Sequence, residues 1–386
     1  MTGPVSVAGI SAIPNSTYET PERDLAAHVL KEALQDADLN IQDVDGLYMP
    51  KPRPWTPQGF FSTFLAHQTG MDLERSLEVY TGGTSGGTAL RSAVTDIRDG
   101  DVETAVVLAV ERNSISSTDR YFEYILGIFD REFQSPMGPS IPSVYAQSLR
   151  RYCYEYDVDR EAIASIVKKN RKNAQSNPDA VFYESEIPDI DEILESRLIS
   201  DPLHLYECPR PTDGAAAIIL TAKEVESTVR ISGAGYHHPS SHLIGARDTS
   251  MATLPAAGEA VSEALTDATL SRSDIDVLEP YAPFPHIEAI LLEEIGLTDR
   301  GTGADECVEG RTEISGELPV SPSGGCIGRG HPAMVTPLLN HVEAVRQLRG
   351  DAANQVPDTD TVLTTSEHGH VDGMNAHVFT RNGGNA

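Results

Sequence analysis

The sequence predicts an α/β fold built from two similar halves, and three features carry that reading. The first is an internal repeat. Glu32-Ala33-Leu34-x-Asp36-Ala37-x-Leu39, then Asp43-Val44-Asp45-x-Leu47, returns as Glu263-Ala264-Leu265-x-Asp267-Ala268-x-Leu270, then Asp274-Ile275-Asp276-x-Leu278, at a constant offset of 231 residues. The second is a pair of glycine-rich loops, residues 81–88 and 324–332, each followed by a helical run and then by a strand leading to a glutamate, Glu111 or Glu367. The third is a break in this pattern over residues 112–211, which reads as an insertion. A repeat of this length is no solenoid, and alternating strand and helix signals in each copy point to two α/β units.

Taken in order, residues 5–13 alternate small and β-branched side chains, as a strand does, and Val5-Ser6-Val7-Ala8-Gly9 is echoed by Val229-Arg230-Ile231-Ser232-Gly233. Residues 20–37 read as a helix, with Pro21 near its start and Leu25, Val29, Leu30 and Leu34 spaced for one face. Residues 81–88 open a helix over 89–98, and 105–110 form the strand before Glu111. The insertion holds helical stretches at 144–154 and 160–174, joined by proline-rich connections such as 135–142. Asp213-Gly214 then turns into a buried strand to Leu220 that completes the first half. The expected domains are 1–111 with 212–227, the inserted loop domain 112–211, and 228–386.

Charge excludes several functions. Fifty-eight acidic against 29 basic residues give −29, so nucleic acid and anionic membranes would be repelled. Acidity spread along the chain, with only six lysines, reads as adaptation to a high-salt cytoplasm. No stretch of 18 apolar residues or signal-peptide pattern is present, so a cytoplasmic location is expected. Cys153, Cys208, Cys307 and Cys326 show no metal spacing and are expected as reduced thiols, with no metal bound.

The second glycine loop, Gly324-Gly325-Cys326-Ile327-Gly328-Arg329-Gly330-His331-Pro332, fixes His331 at a loop-to-helix junction, with Pro332 suited to a helix's first turn. A histidine held this way can act as a general base, or it can simply pack at the helix start. With Asn173-Ala174, Asn177-Pro178 and Asp213-Gly214-Ala215-Ala216-Ala217, this loop resembles the thiolase superfamily over nearly the whole chain, especially its archaeal and sterol-carrier-protein-type branch. The resemblance implies a thiolase fold of duplicated halves in five αβαβα layers, CoA substrates bound beneath the loop domain, and a homodimer core. The large subunit of haloarchaeal two-subunit β-ketothiolases is the form it resembles most, which implies a small OB-fold, zinc-ribbon-type partner. Acetyl-CoA and acyl-CoA are the expected ligands, with coenzyme A entering only as part of the substrate.

The departures from that family bear on chemistry. Aligning Ser85-Gly86-Gly87-Thr88-Ala89 to the family's nucleophile context puts Gly83 where the cysteine belongs. The second cysteine is replaced within Ser366-Glu367-His368-Gly369-His370, and the oxyanion motif has become Tyr281-Ala282-Pro283-Phe284, followed by His286. Ser85, at a helix start where N–H groups stabilise a developing anion, is the expected replacement nucleophile, against the competing reading of a helix cap. Thr84 and Thr88 are weaker rivals, and Cys326 is a rival that reads better as a packed thiol. His286 and His331 are the expected base and oxyanion or α-proton groups. His368 and His370 are alternative acid/base groups, and Gly83 and Gly369 possible main-chain oxyanion donors. Arg329, Arg150 and Arg151 are possible contacts for CoA phosphates. The leading expectation is a β-ketothiolase that condenses acetyl-CoA with an acyl-CoA through an acyl-Ser85 intermediate, feeding polyhydroxyalkanoate or isoprenoid synthesis. The alternative is an inert subunit that binds acyl-CoA or scaffolds a partner.

Overall fold

The computed structural model describes residues 5–223, 229–239, 250–368 and 373–381. The first half runs β1 (Val5–Ala12), α1 (Glu22–Asp36), β2 (Gly46–Pro50), α2 (Phe61–Thr69), β3 (Arg75–Val79), α3 (Ser85–Asp99) and β4 (Thr104–Glu111). The insertion carries α4 (Thr118–Leu126), α5 (Ile141–Tyr156), α6 (Arg160–Gln175), α7 (Ile190–Glu195) and a small hairpin, β5 (Leu198–Ser200) with β6 (Leu203–His204). After β7 (Gly214–Thr221), the second half runs β8 (Val229–His237), α8 (Pro255–Ala268), β9 (Val277–Glu279), α9 (Pro285–Ile295), α10 (Asp305–Val308), α11 (Gly325–Gly328), α12 (Thr336–Arg349), β10 (Thr361–His368) and β11 (Gly373–Arg381).

The strands follow the order β3-β2-β4-β7-β1-β8-β11-β10-β9. Each half forms its own mixed sheet, and the two meet where β1 pairs with β8 at Val5↔Ile231 and Ser6↔Arg230. Side-chain alternation sorts the layers. In β7, Ala215, Ala217 and Ile219 face α1, while Ala216, Ile218 and Leu220 face α3 and α12. In the second half, Ala376 and Val378 face α8 and α9, while Val362 and Phe379 join the same α3–α12 core. The result is five layers, α-β-α-β-α, with α3 and α12 in the middle and both glycine loops at their heads. This explains why β4 and β7 are buried along their full length and read as continuous runs of small and β-branched residues.

The repeat is visible in the contacts. An added Cβ on Gly9 would fall 2.2 Å from Ala33 O, and one on Gly233 would fall 2.0 Å from Ala264 O, so each outer helix lies directly on a strand glycine. Ile10 N donates to Asp36 at 2.8 Å, as Ala234 N does to Asp267 at 3.0 Å. Asp45 accepts from Glu103 and Thr104 N–H as Asp276 does from Asp360 and Thr361. The halves also exchange ion pairs: Arg98 of α3 reaches Asp267, and Arg349 of α12 reaches Asp36, each at 2.7 Å. The insertion is not a detached cover, because Tyr145, Leu149, Ile163 and Ile166 pack into the core formed by α8 and α9. Among the described residues no helix is long and apolar enough to cross a membrane.

Candidate active site

His331 is held from both sides. Its N–H donates to Arg210 O at 3.0 Å, and three residues on, Met334 N–H donates to Glu111 Oε2 at 2.7 Å. The other oxygen of Glu111 accepts from Arg53 Nε at 2.7 Å, inside the fold. The following helix begins later than the sequence suggests. Pro332 leads a turn, its carbonyl accepting from Val335 and Thr336 N–H, and Pro337 takes the first-turn place in α12.

The hydrogen bonds fix the imidazole tautomer. Thr336 Oγ1 donates to Pro332 O at 3.1 Å, so toward His331 Nδ1, 3.3 Å away, it accepts. On that basis Nδ1 is assigned the proton, and Nε2 then accepts from the Tyr281 hydroxyl at 3.3 Å. Burial, then the fields of Arg53 and Arg329, push the His331 pKa down to about 3, so the ring is neutral at physiological pH although one edge stays partly exposed. Burial, then Cys326 and Glu367, hold the Tyr281 hydroxyl well above its usual pKa, so it remains a neutral donor.

Tyr281 follows β9, and its N–H donates to Thr365 O of the neighbouring β10 at 3.1 Å. This aims the ring at the first glycine loop. A Cβ built on Gly83 would lie 2.9 Å from the Tyr281 hydroxyl and 3.1 Å from Glu367 O. The phenol thus occupies the space into which a side chain at position 83 would project. Beside it the Glu367 carboxylate accepts a hydrogen bond from Tyr145 of α5, whose ring stacks on Phe284 at 4.3 Å.

Several expected residues lie elsewhere. Ser85 is fully buried, with its Oγ accepting from Thr81 N–H at 2.9 Å and donating to Gly82 O at 2.7 Å. Both bonds stay within its own loop, and among the described residues Ser85 makes no hydrogen bond to His286 or His331; a buried hydroxyl at a helix start is satisfied by the turn it closes. Thr84 and Thr88 are likewise engaged. Thr84 bonds Ser366 and Asn375, and Thr88 bonds Thr81 and Asn375. His286 does not join His331 in a hydrogen bond. Its buried ring lies near Tyr145 and Phe284 with both nitrogens unpartnered, its pKa lowered to about 3 by burial and then by Arg160. Cys326 is buried, and burial pushes its thiol up to about 12, which removes it as a thiolate. Arg150 and Arg151 pair with Asp201 and Glu155 at the surface, and Arg329 is buried against Glu279 and Asn340. Gly369, His370 and the side chain of His368 lie outside the described residues. Among the described residues no cluster of three or more His, Cys, Asp or Glu is placed to hold a metal.

Sequence reasoning did not single out Tyr281 as a hydrogen-bond partner of His331, nor Arg53 and Tyr145 around the two glutamates. The first carried a signal, since a phenol in place of the family's oxyanion motif is a change of chemistry. The other two sit in stretches with no motif.

The comparisons with known proteins agree with this fold. A family model described as "Thiolase, N-terminal domain" matches residues 9–224, and one described as "Thiolase C-terminal domain-like" matches residues 235–381. The chain is 30% identical to an acetyl-CoA acetyltransferase of Methanothermobacter thermautotrophicus, over 98% of this chain and 99% of that protein. It is 29% identical to a steroid side-chain-cleaving aldolase of Thermomonospora curvata, over 95% of this chain and 96% of that one. A solved structure described as the Ltp2-ChsH2(DUF35) aldolase superposes with a TM-score of 0.84 at 26% identity, covering 99% of this chain and 98% of its own.

Proposed function

Because the chain belongs to the thiolase family, we propose that it makes or breaks the carbon–carbon bond beside a coenzyme A thioester, and that it does so as an aldolase-type lyase without an acyl–enzyme intermediate. The observation that carries this reading is the Tyr281 hydroxyl standing where a nucleophile at position 83 would project, bonded to the free nitrogen of His331. A Claisen condensation through an acyl–enzyme needs a nucleophile there, and glycine offers none. An aldol step needs only proton transfer and a stabilised enolate.

In the cleaving direction the substrate is an acyl-CoA with a hydroxyl on its β-carbon. Tyr281 takes the hydroxyl proton as its own passes to His331 Nε2. The Cα–Cβ bond breaks, the β-carbon leaves as a ketone or aldehyde, and the electron pair goes to the thioester enolate. The proton then returns through Tyr281 to Cα, which yields acyl-CoA and restores both side chains. Gly83 N–H, at the head of α3, is assigned to the enolate oxygen, where the helix dipole favours negative charge. Relatives named as an aldolase and as a lyase support this reading, whereas those named as acetyltransferases support the acyltransferase alternative.

A homodimer core and a small partner subunit complete the proposal. The DUF35 component named with the solved aldolase supports the second part. The deciding experiment offers a 3-hydroxy-3-alkylacyl-CoA and follows ketone and acyl-CoA by mass spectrometry, with and without a small subunit. Release of both products, an unmodified protein mass and loss of turnover in Tyr281→Phe are expected. An acyl adduct on the protein after acetyl-CoA would restore the acyltransferase reading.

A further inference from the structure

We propose that Arg329 is the positioning residue of the His331 site: its guanidinium ties together the three segments that carry His331, Tyr281 and Thr336, and so sets the imidazole for proton transfer. The chemical step rests on the lyase reading above, whereas the positioning itself is a matter of geometry. Arg329 lies in the glycine loop two residues before His331 and is only 3% exposed. Its Nη1 lies 3.7 Å from Glu279 Oε1 at the end of β9, and its Nη2 donates to Asn340 Oδ1 of α12. Glu279 is two residues before Tyr281, and Asn340 is one turn after Thr336. Tyr281 and Thr336 are the two groups that hydrogen-bond the His331 ring, each at 3.3 Å. Bonds at that long end of the range are lost by small displacements, so a link that fixes all three segments fixes the ring.

The main chain around Arg329 is held as firmly. Its N–H donates to Gly325 O at 2.8 Å, and its carbonyl accepts from Val181 N–H at 2.9 Å and from Asn15 Nδ2 at 3.2 Å. Gly330, the one residue between Arg329 and His331, has φ +107°, and an added Cβ there would fall 3.0 Å from Thr212 Cγ2. The far ends of the link are joined too. Asn340 Nδ2 donates to Glu279 O at 3.4 Å, and Ser323 Oγ of the glycine loop's approach donates to Glu279 Oε1.

Stability alone does not account for this arrangement. Burial pushes the Glu279 carboxyl up to about 7 even against the pull of Arg329, so the pair carries a large desolvation cost. Apolar side chains of similar size would fill the same space without it. What they cannot do is reach β9 and α12 at once with directed contacts, as a planar guanidinium does. The charge also acts on the ring: after burial and Arg53, Arg329 helps to hold His331 neutral, the form in which Nε2 accepts.

The test uses the full chain at about pH 8, above the Glu279 value, with two readouts. One is kcat and KM on a 3-hydroxy-3-alkylacyl-CoA. The other is the ring-nitrogen NMR signal of His331 in histidine-labelled protein, identified by its loss in His331→Gln. Arg329→Met should lower kcat by about tenfold to a hundredfold with KM within about twofold, and should replace the single Nδ1–H tautomer of His331 by a mixture. Arg329→Lys, which keeps a cation against Glu279, should recover most of kcat. Met alone strands a buried carboxylate, so Arg329→Met combined with Glu279→Gln is the stable control: its melting temperature should return toward wild type while kcat stays low. A double variant that regains turnover along with stability would reduce Arg329 to a structural role and overturn the proposal, as would a His331 signal unchanged in both variants. A wild type without turnover, whose His331 tautomer still depends on Arg329, would reject the lyase reading and leave the positioning standing.

Discussion

The two halves share a frame and differ in what they do with the same glutamate. Glu111 and Glu367 each follow a glycine-loop helix and a strand, yet Glu111 is neutralised by the Arg53 guanidinium and spends its other oxygen on Met334 N–H, whereas Glu367 accepts from a phenol and faces Tyr281. The strands before them diverge in the same way. By the repeat offset of 231, Pro50 at the end of β2 and Arg53 beyond it correspond to Tyr281 and Phe284 after β9. The first half therefore buries a neutralised pair that clamps the His331 loop, and the second supplies the groups proposed to carry the proton. Duplication built the frame, and departures from symmetry set different side chains in it.

The sharpest break of this comparison is Tyr281→Phe. Losing a positioned proton carrier should lower lyase turnover by about 10²- to 10⁴-fold in steady-state assays, with the melting temperature nearly unchanged. Next come the two glutamates. Arg53→Met strands a buried carboxylate and should cost about 3–5 kcal/mol in denaturant unfolding, while Tyr145→Phe removes a neutral donor from Glu367 and should cost about 1–3 kcal/mol. Equal costs would deny the asymmetry.

Acid should find the halves unequal as well. Among the described residues the buried histidines, His286, His341 and His377, all lie in the second half. Burial, then Arg91 and Arg98, lower His377 to about 3, against 6.5 in the unfolded chain. Between these values the unfolded state binds a proton that the native state does not, so stability falls as pH drops from about 6.5 toward 3. His377→Gln should remove its share, up to about 1.4 kcal/mol per pH unit over that window, measured by urea unfolding at successive pH values. A wild-type-minus-variant difference that stays flat with pH would reject this.

Smaller effects remain. Ser85→Ala should cost about 1 kcal/mol and keep turnover, because the hydroxyl closes a turn. If turnover vanishes instead, the serine regains a catalytic role. Arg98→Ala and Arg349→Ala should each cost about 0.2–1 kcal/mol and match one another, since they break equivalent, partly exposed pairs across the pseudo-two-fold.

Much of the fold was legible in the chain itself. The repeat, the strand at the start of each half, the α6 helix and the two glycine loops all follow from local periodicity, turn chemistry and spacing, which depend on near neighbours in sequence. Position 83 as glycine was also readable, as was His331 at its junction. Sequence alone could not choose what replaced the nucleophile, because Ser85 is adjacent in the chain and Tyr281 is not. Only the tertiary structure, by laying β9 against β10 and α3 against α12, brought the phenol to Gly83 and left the serine to satisfy its own loop. A short polar side chain bonds the backbone beside it before it can reach across a site, whereas a long rigid ring can be delivered by a strand from the other half; that choice is made by packing, which no local pattern records.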